Sequence, residues 1–532
     1  MTTPHTEADI LIDKDVTIEG VDQAQTVVQA AAAPNSESGR VFTILSGNTV
    51  ILRDFTIRHG DAPAGSGGGI WIQSSTNQSL VTLKRMTISQ NRSLTQGGGI
   101  ANEAQLEIDD FTIAENTVRA GGGGGIYNTG DLTLRQGFIQ SNNVPSHGGG
   151  VLSFKDGDNE PSLSIDGVVV HGNFARRGGG VFNEGAMTIF SESTIANNSA
   201  ENSGGGLHNL GSSLVGITNT DIINNALTDD PFPLTSQGAG IYTSGPMRIS
   251  ESDIRFNKHR SFDIGFAGGG LYIQNTEVTL DRVSVASNQI PNGAGIYSFA
   301  SSVTIVDSSI RDNRAIFSSD LGGGIYQDGG ALQVTNTTIS DNKTNGFAGG
   351  IYQCGGDLQL THVTMTKNIA NDNDDGLGDG GGLFIACSGA RTEIRNSIVA
   401  GNTVTGGGQY PDCNAPFIGS HSMIGDPGPP GGVRCSVGTM FQVGMIYNVT
   451  GEIFDPPTGD GHAYSLPLKS PSLAIDAGSC FDLDANPLAF DQRGAPMPVD
   501  GDGDGEADCD MGAVEFGSVP VLPDSLFLDG FE

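Results

Sequence analysis

The sequence predicts an all-β fold, a single-stranded right-handed parallel β-helix of roughly fourteen rungs with a C-terminal capping region, on three observations. One phrase returns twelve times: three small residues, usually all glycine, then a branched aliphatic, then usually an aromatic. It closes at Ile70, Ile100, Ile126, Val151, Val181, Leu207, Ile241, Leu271, Ile296, Ile325, Ile351 and Leu383, with 25 to 34 residues between copies. That period belongs to solenoids, in which each repeat is one supersecondary unit buried by its neighbours. Between the phrases, short alternating runs such as Leu106-Glu107-Ile108 and Leu332-Gln333-Val334 read as strands. No window sustains a helical period.

Taken in order, residues 1–66 are N-terminal rungs. Leu11–Gly20 would place Ile18, and Val50–Gly60 would place Ile57, at a recurring aliphatic site, with glycine where later rungs carry asparagine. Residues 67–402 are the repeats proper, where an aliphatic residue leads asparagine by three. Examples are Ile113/Asn116, Ile195/Asn198 and Ile310/Asn313, and a last pair, Ile398/Asn402, reads as carrying one extra residue. Asparagine repeated at one corner can donate its amide to the next rung and tolerates a left-handed backbone. Glycine lets adjacent backbones approach. Residues 403–516, rich in Pro and Asp, are expected to close the coil's open edge, and 517–532 form a tail.

Eighty glycines, one Trp and 36% hydrophobic residues suit narrow stacked coils rather than a thick layered core. The net charge of −34 argues against nucleic acid or an anionic membrane as partner. No segment is long and apolar enough to be a transmembrane helix.

All six cysteines lie in the last third. Cys354 and Cys387 follow their rung markers by three and four residues, so they should sit one above the other. Cys413 with Cys435 and Cys480 with Cys509 would then pair locally, which favours an oxidising compartment. The opening Met-Thr-Thr-Pro-His-Thr-Glu has no basic or apolar leader, so export implies that the natural start lies upstream.

Several strings carry a resemblance. Asn396-Ser397-Ile398-Val399 through Pro411-Asp412-Cys413, Ser470-Pro471-Ser472-Leu473-Ala474-Ile475-Asp476-Ala477-Gly478, Asp491-Gln492-Arg493-Gly494 and Cys509-Asp510-Met511-Gly512-Ala513-Val514-Glu515 are one set. They resemble the C-terminal region of secreted bacterial β-helix proteins with a choice-of-anchor Q domain. The repeats are similar to those of polymorphic outer-membrane proteins. The resemblance implies the pectin-lyase-like β-helix fold, export and an extracellular or cell-surface life, and it supplies no catalytic motif. The tail Ser525–Glu532 resembles short terminal tags on exported proteins, and reads equally as a sorting address or a disordered end.

The sharpest chemical motif is acidic. Asp500, Asp502 and Asp504 alternate before Gly505, as in an EF-hand-type calcium loop, with Glu506 and Asp508 as further metal ligands. Met511 stands where the bidentate glutamate should be, so Asp510 is a substitute. The same residues could form a metal-free surface turn. Asp372-Asn373-Asp374-Asp375 with Asp379 is a second, weaker acidic turn.

The residue after the marker gives an aromatic stripe, with Ala101 and Leu152 as the exceptions: Trp71, Tyr127, Tyr242, Tyr272, Tyr297, Tyr326 and Tyr352, joined by Phe182, His208 and Phe384. An exposed stripe is a possible glycan platform, whereas rings stacked on each other would be structural. Exposure decides between them.

Catalytic residues are not evident. Asn219-Thr220-Asp221 mimics a polygalacturonase string, but neither Gly-His-Gly nor Arg-Ile-Lys accompanies it, and the basic cluster of a lyase is missing. His171, His208 and His362 recur at rung positions and read as structural. The expectation is therefore an extracellular or cell-surface protein with an adhesin-like binding or structural role, a glycan or cell-surface ligand, and Ca2+ as bound ion. The alternative is a carbohydrate-active lyase or hydrolase, with its site on the long turns 226–240 or 257–269.

Overall fold

The computed structural model describes residues 4–75, 78–157, 160–228, 236–259, 267–316, 320–429, 435–436, 443–449, 451–482 and 486–520. The chain divides into two compact units, Met1–Val278 with Asn288–Ile290, and Thr279–Ser287 with Pro291–Glu532.

In the first unit the marker strands pair in parallel and in register. Ile10, Phe42, Ile70, Ile100, Ile126, Val151, Val181, Leu207, Ile241 and Leu271 form one inward column. In the second unit Ile296, Ile325, Ile351 and Leu383 do the same. Ten and four such strands account for the expected number of rungs. Each coil is a right-handed parallel β-helix, the hand that parallel crossover connections almost always take.

A second sheet carries the alternating run and the aliphatic site on one strand, for example Gln105–Ala114. Leu106 and Ile108 point inward, and so do Phe111 and Ile113, because Asp110 takes φ +52° and bends the strand. The bend resets the alternation, which is why the aliphatic site comes five residues after the run. Arg85, Gln136, Glu192, Asp307, Asn336 and His362 occupy the same left-handed corner in their rungs.

The asparagine column is continuous within each unit. Asn91 donates its amide to Asn116 at 3.1 Å, Asn116 to Asn142 at 3.0 Å, and the series runs through Asn173, Asn198, Asn225 and Asn257 to Asn288. In the second unit it runs Asn313, Asn342, Asn368, Asn402 and ends on the Asp412 carboxylate at 2.8 Å. The left-handed residue is the one before each asparagine, such as Glu115, Ser141 and Asn197, and not the asparagine itself. The asparagines are present for their amides, which are buried and bonded on every side.

Three register readings need correction. Val28, not Ile18, aligns with Ile57, while Ile18 aligns with Leu52 on the alternating run. Gly60 does replace asparagine, its N–H reaching Asn91 Oδ1 at 2.9 Å, but Gly20 does not belong to that column. Val399, not Ile398, aligns with Met365, so the last pair is Val399/Asn402 with ordinary spacing. Ile398 faces outward instead, beside Thr364.

The outward turn delivers Ile398 to the C-terminal region rather than to water. Thr403–Val404, Ile418–Ser420, Met423–Ile424 and Ile446–Tyr447 still pair with coil strands. Segment 451–516 then lies back along the outer face of the second unit. Ser309 reaches Gly461 O, Asn336 reaches Phe490 O, Thr338 reaches Gln492 Oε1, and Gly512 N reaches Asn396 O. Ile398, Ala400 and Met423 join Ile453, Leu468, Ala474, Ile475 and Met511 in one apolar cluster.

All three expected disulfides are formed. Cys354–Cys387, Cys413–Cys435 and Cys480–Cys509 have Cα separations of 4.7, 5.3 and 5.2 Å. The first clasps adjacent rungs and the third tethers the covering segment to itself. No helix among the described residues is long and apolar enough to cross a membrane.

Candidate functional site

The acidic loop is assembled from two segments. Asp476, from the Ala-Ile-Asp-Ala-Gly string, sits at φ +50°. Its Oδ2 accepts from Gly501 N at 2.9 Å and Asp502 N at 2.7 Å. Asp476, Asp500 and Asp502 thereby offer ligand oxygens all within 4.8 Å of one another. Asp476 Oδ1 is buried with no hydrogen-bond partner, and so has a lone pair to give.

Of the expected ligands, Asp500 and Asp502 belong to this group. Asp504, Glu506 and Asp508 are exposed and do not. Asp500 accepts from Gly503 N at 2.7 Å and Gly505 N at 3.0 Å, and Asp504 accepts from Glu506 N at 2.8 Å, so the loop is wound on its own amides. Asp510 lies behind it, accepting from Asp476 N at 2.8 Å. Burial pushes the Asp510 carboxyl up to about 8 and that of Glu515 up to about 7. The signal that pointed to Asp476 was already present in its string, read only as a resemblance.

The second acidic turn is satisfied by the chain itself, by cations at Asp372 and by backbone amides at Asp375 and Asp379. Asp372 faces Arg314 at 3.0 Å and Lys343 at 3.7 Å, and Asp379 accepts from Tyr410 N at 2.9 Å.

The aromatic stripe stacks on itself. In the first unit His208 lies between Phe182 and Tyr242, with centroids 4.8 and 4.4 Å away and planes within 8°, and Tyr272 continues the stack. In the second unit Tyr297, Tyr326 and Tyr352 meet edge to face at 4.6 and 4.9 Å, and Phe384 comes next. Tyr127 and Tyr272 are buried and the other tyrosines half-buried. Trp71 is covered by the Arg40 guanidinium at 4.6 Å and donates to Glu103 at 2.9 Å. Burial pushes the Tyr127 and Tyr326 phenols up to about 12 and His208 well down. The rings are thus largely satisfied by one another.

Asn219, Thr220 and Asp221 form an ordinary corner. Asn219 takes the left-handed position, Thr220 is buried, and Asp221 faces outward beside Asp253 on the next rung. Arg255 lies 3.9 Å from Asp253. His171 bonds Gln140 at 2.7 Å. His362 is buried beneath the covering segment, with both ring nitrogens unpaired and its pKa pushed down to about 4 by burial. Residues 229–235 and 260–266 of the long turns, and the tail from 521, lie outside the described residues.

Sequence reading missed two features. One is a hydroxyl ladder just past the corner: Ser193 Oγ accepts from Val168 N at 3.1 Å, Ser252 Oγ from Thr220 N at 3.0 Å, and Ser397 Oγ from Val363 N at 3.0 Å. Its members are mixed Ser, Thr and Val, so no single letter repeats. The other is an open hollow of about 330 Å3 on the second unit's outer face, lined by Arg391, Glu393, Arg395, Ile418, Gly419 and Ser420. A smaller one of about 90 Å3 shares Arg391 and Glu393 and adds Asp357, Leu358 and Gln359.

Among known proteins, the family described as right handed beta helix region matches residues 237–420. No curated protein and no solved structure matches the chain. The coil geometry and this match agree on a right-handed parallel β-helix protein.

Proposed function

We propose that this is an extracellular or cell-surface β-helix protein with an adhesin-like binding or structural role, of the secreted kind that joins polymorphic outer-membrane-type repeats to a choice-of-anchor Q-like end. The observation that carries this is where the repeated side chains are spent: asparagines and rings bond rung to rung, building a scaffold. Three disulfides favour an oxidising compartment. The test is a glycan array and a surface-binding assay on the intact protein, run beside assays for reducing ends and unsaturated uronides with and without calcium. Saturable binding without turnover is expected, and turnover of any polysaccharide overturns the reading.

The ion of the acidic loop is Ca2+, held by Asp476, Asp500 and Asp502, with Asp504, Glu506 and Asp508 as the outer candidates. Hard oxygen ligands and the absence of soft donors in this group suit that ion. Calorimetric titration with CaCl2 should show binding that Asp476→Asn and Asp500→Asn each abolish, with Asp508→Asn retaining it. Retention in Asp476→Asn would reject the arrangement.

The enzymatic reading has one observation in its favour: Asp221 and Asp253 present adjacent outward carboxylates. Paired carboxylates are the apparatus of glycoside hydrolysis. Turnover lost in Asp221→Asn would establish it.

A further inference from the structure

The second unit's outer face is short of free positive charge. Arg311 is held by Asp460 at 3.0 Å, Arg314 by Asp372 at 3.0 Å, Arg493 by Asp491 at 2.6 Å and Arg395 by Glu393 at 2.5 Å. Arg391 differs: it is exposed, and among the described residues no carboxylate lies within ion-pair distance of it. This is so although Asp357 is its register partner on the adjacent rung. The remaining described arginine of this unit, Arg282, is likewise held, by Asp281 at 2.9 Å, so Arg391 stands apart from the other described arginines of the second unit.

Its setting is a built groove. Arg391, Glu393 and Arg395 alternate along Arg391–Arg395, so all three side chains stand on the outer face. Gln359 and Ile418 flank Glu393 on the neighbouring rungs, and Ser420 flanks Arg395. The Glu393–Arg395 pair is self-neutralised, Ile418 is 38% exposed, and the two hollows of about 330 and 90 Å3 open on either side of this rung. The rung before Asp357 carries Ala331, Gln333 and Thr335 at the same positions, with no charge.

We propose that this groove binds a saccharide bearing a carboxylate, with Arg391 as the residue that receives it. A guanidinium pairs with a carboxylate through two parallel N–H donors, the geometry that planar recognition needs. Gln359 and Ser420 are placed to exchange hydrogen bonds with hydroxyls, and Ile418 offers an apolar surface to a sugar's C–H face. Asp357 and Glu393 set the ligand's charge density. They accept hydroxyl protons and repel a second carboxylate, which disfavours an acidic peptide or a densely charged polyanion. The inference deepens the surface-binding reading and rests on it.

The test uses the full chain on an array of oligosaccharides carrying one glucuronate each, printed beside counterparts with that carboxyl reduced to the alcohol. Binding to the acid form alone is expected. Arg391→Gln should weaken it about tenfold or more, Arg391→Lys should weaken it less, and Asp357→Asn should strengthen it by removing the competing anion. Rising salt should lower the affinity. Circular dichroism and melting must show each variant folded, which an exposed position allows. Equal binding of the acid sugars by wild type and Arg391→Gln overturns this site and leaves the surface-binding reading intact. Equal binding of acid and reduced forms overturns it likewise. Failure to bind any saccharide on the array overturns the site and removes glycans as the ligand of the surface-binding reading.

Discussion

The outer face of the long sheet has two fates in the two units. In the first, the outward column just past the corner reads Thr112, Phe138, Val169, Thr194, and Phe138 is 47% exposed. In the second, the same column reads Ser309, Thr338, Thr364, Ile398, and all four are fully buried. The local backbone is the same, and in the second unit the difference comes from segment 451–516, whose described residues cover that face. Pointing outward from a rung is therefore not the same as meeting water. Threonine stands in both columns, so residue type alone does not mark the covered face; Ile398 does, because its side chain enters the covering segment's own core.

The largest effect should come from placing a charge in each column. Ile398→Asp puts an unpaired carboxylate among Ala400, Met423, Ile475 and Met511, and should cost about 3–5 kcal/mol, detaching the covering segment. Phe138→Asp, at the open counterpart, should change stability by no more than about 0.5 kcal/mol. Denaturant melts of the two variants measure this directly, and equal losses would erase the distinction.

Next in size is Gln492→Ala. Gln492 Oε1 accepts from Thr338, and its Nε2 donates to Ser308 O and Tyr464 O at 2.9 and 2.8 Å. Removing it strands buried polar groups on both sides of the seam, at about 2–3 kcal/mol. Hydrogen exchange should rise across 451–516 and stay unchanged in 100–200. Uniform acceleration would mean that the cover is not a separable element.

Legibility in the sequence depends on repetition. The glycine phrase and the asparagine column were visible because a rung corner accepts one residue type, and so Asn116, Asn142 and Asn313 recur as letters. The disulfides were visible because Cys354 and Cys387 sit at nearly equal offsets from their markers. The covering segment was not, because its contacts, such as Asn336 with Phe490 and Thr338 with Gln492, join positions 154 residues apart and repeat nowhere. The acidic cluster was half legible: Asp500 and Asp502 are local, whereas Asp476 arrives from 26 residues upstream of Asp502. The groove at Arg391 was invisible for the opposite reason, since it is an exception on one rung.

A third contrast is chemical. His362 shares its corner column with Gln136 and Glu192, yet it alone of the three is buried. The Ser479 backbone in the cover opposes the shift, and no charged group adds to the effect of burial. With a folded pKa of about 4 against roughly 6.5 unfolded, its neutral form is favoured by folding. That contribution is fully present above pH 6.5 and is lost as pH falls towards 4. Asp307, pushed up to about 6 by burial in the same column, runs the other way, losing its contribution as pH rises from roughly 4 through 6. Wild type should therefore lose roughly 2 kcal/mol more than His362→Asn between pH 7.5 and 4.5. Parallel curves for the two proteins would place the acid response elsewhere.

The smallest expected effect bears on what the open face is for. Met187 and Ile189 are 57% and 50% exposed on one strand, and Leu214, 51% exposed, lies on the next rung. Exposed apolar side chains that touch nothing contribute little to folding, so Met187→Lys/Ile189→Lys should shift stability by no more than about 0.5 kcal/mol. The same change should lower self-association and dye binding, because contiguous apolar surface is what drives both. A loss above about 2 kcal/mol would mean that this face is covered in solution as the second unit's is. The contrast between the units would then be one of which residues provide the cover, not of whether a cover exists.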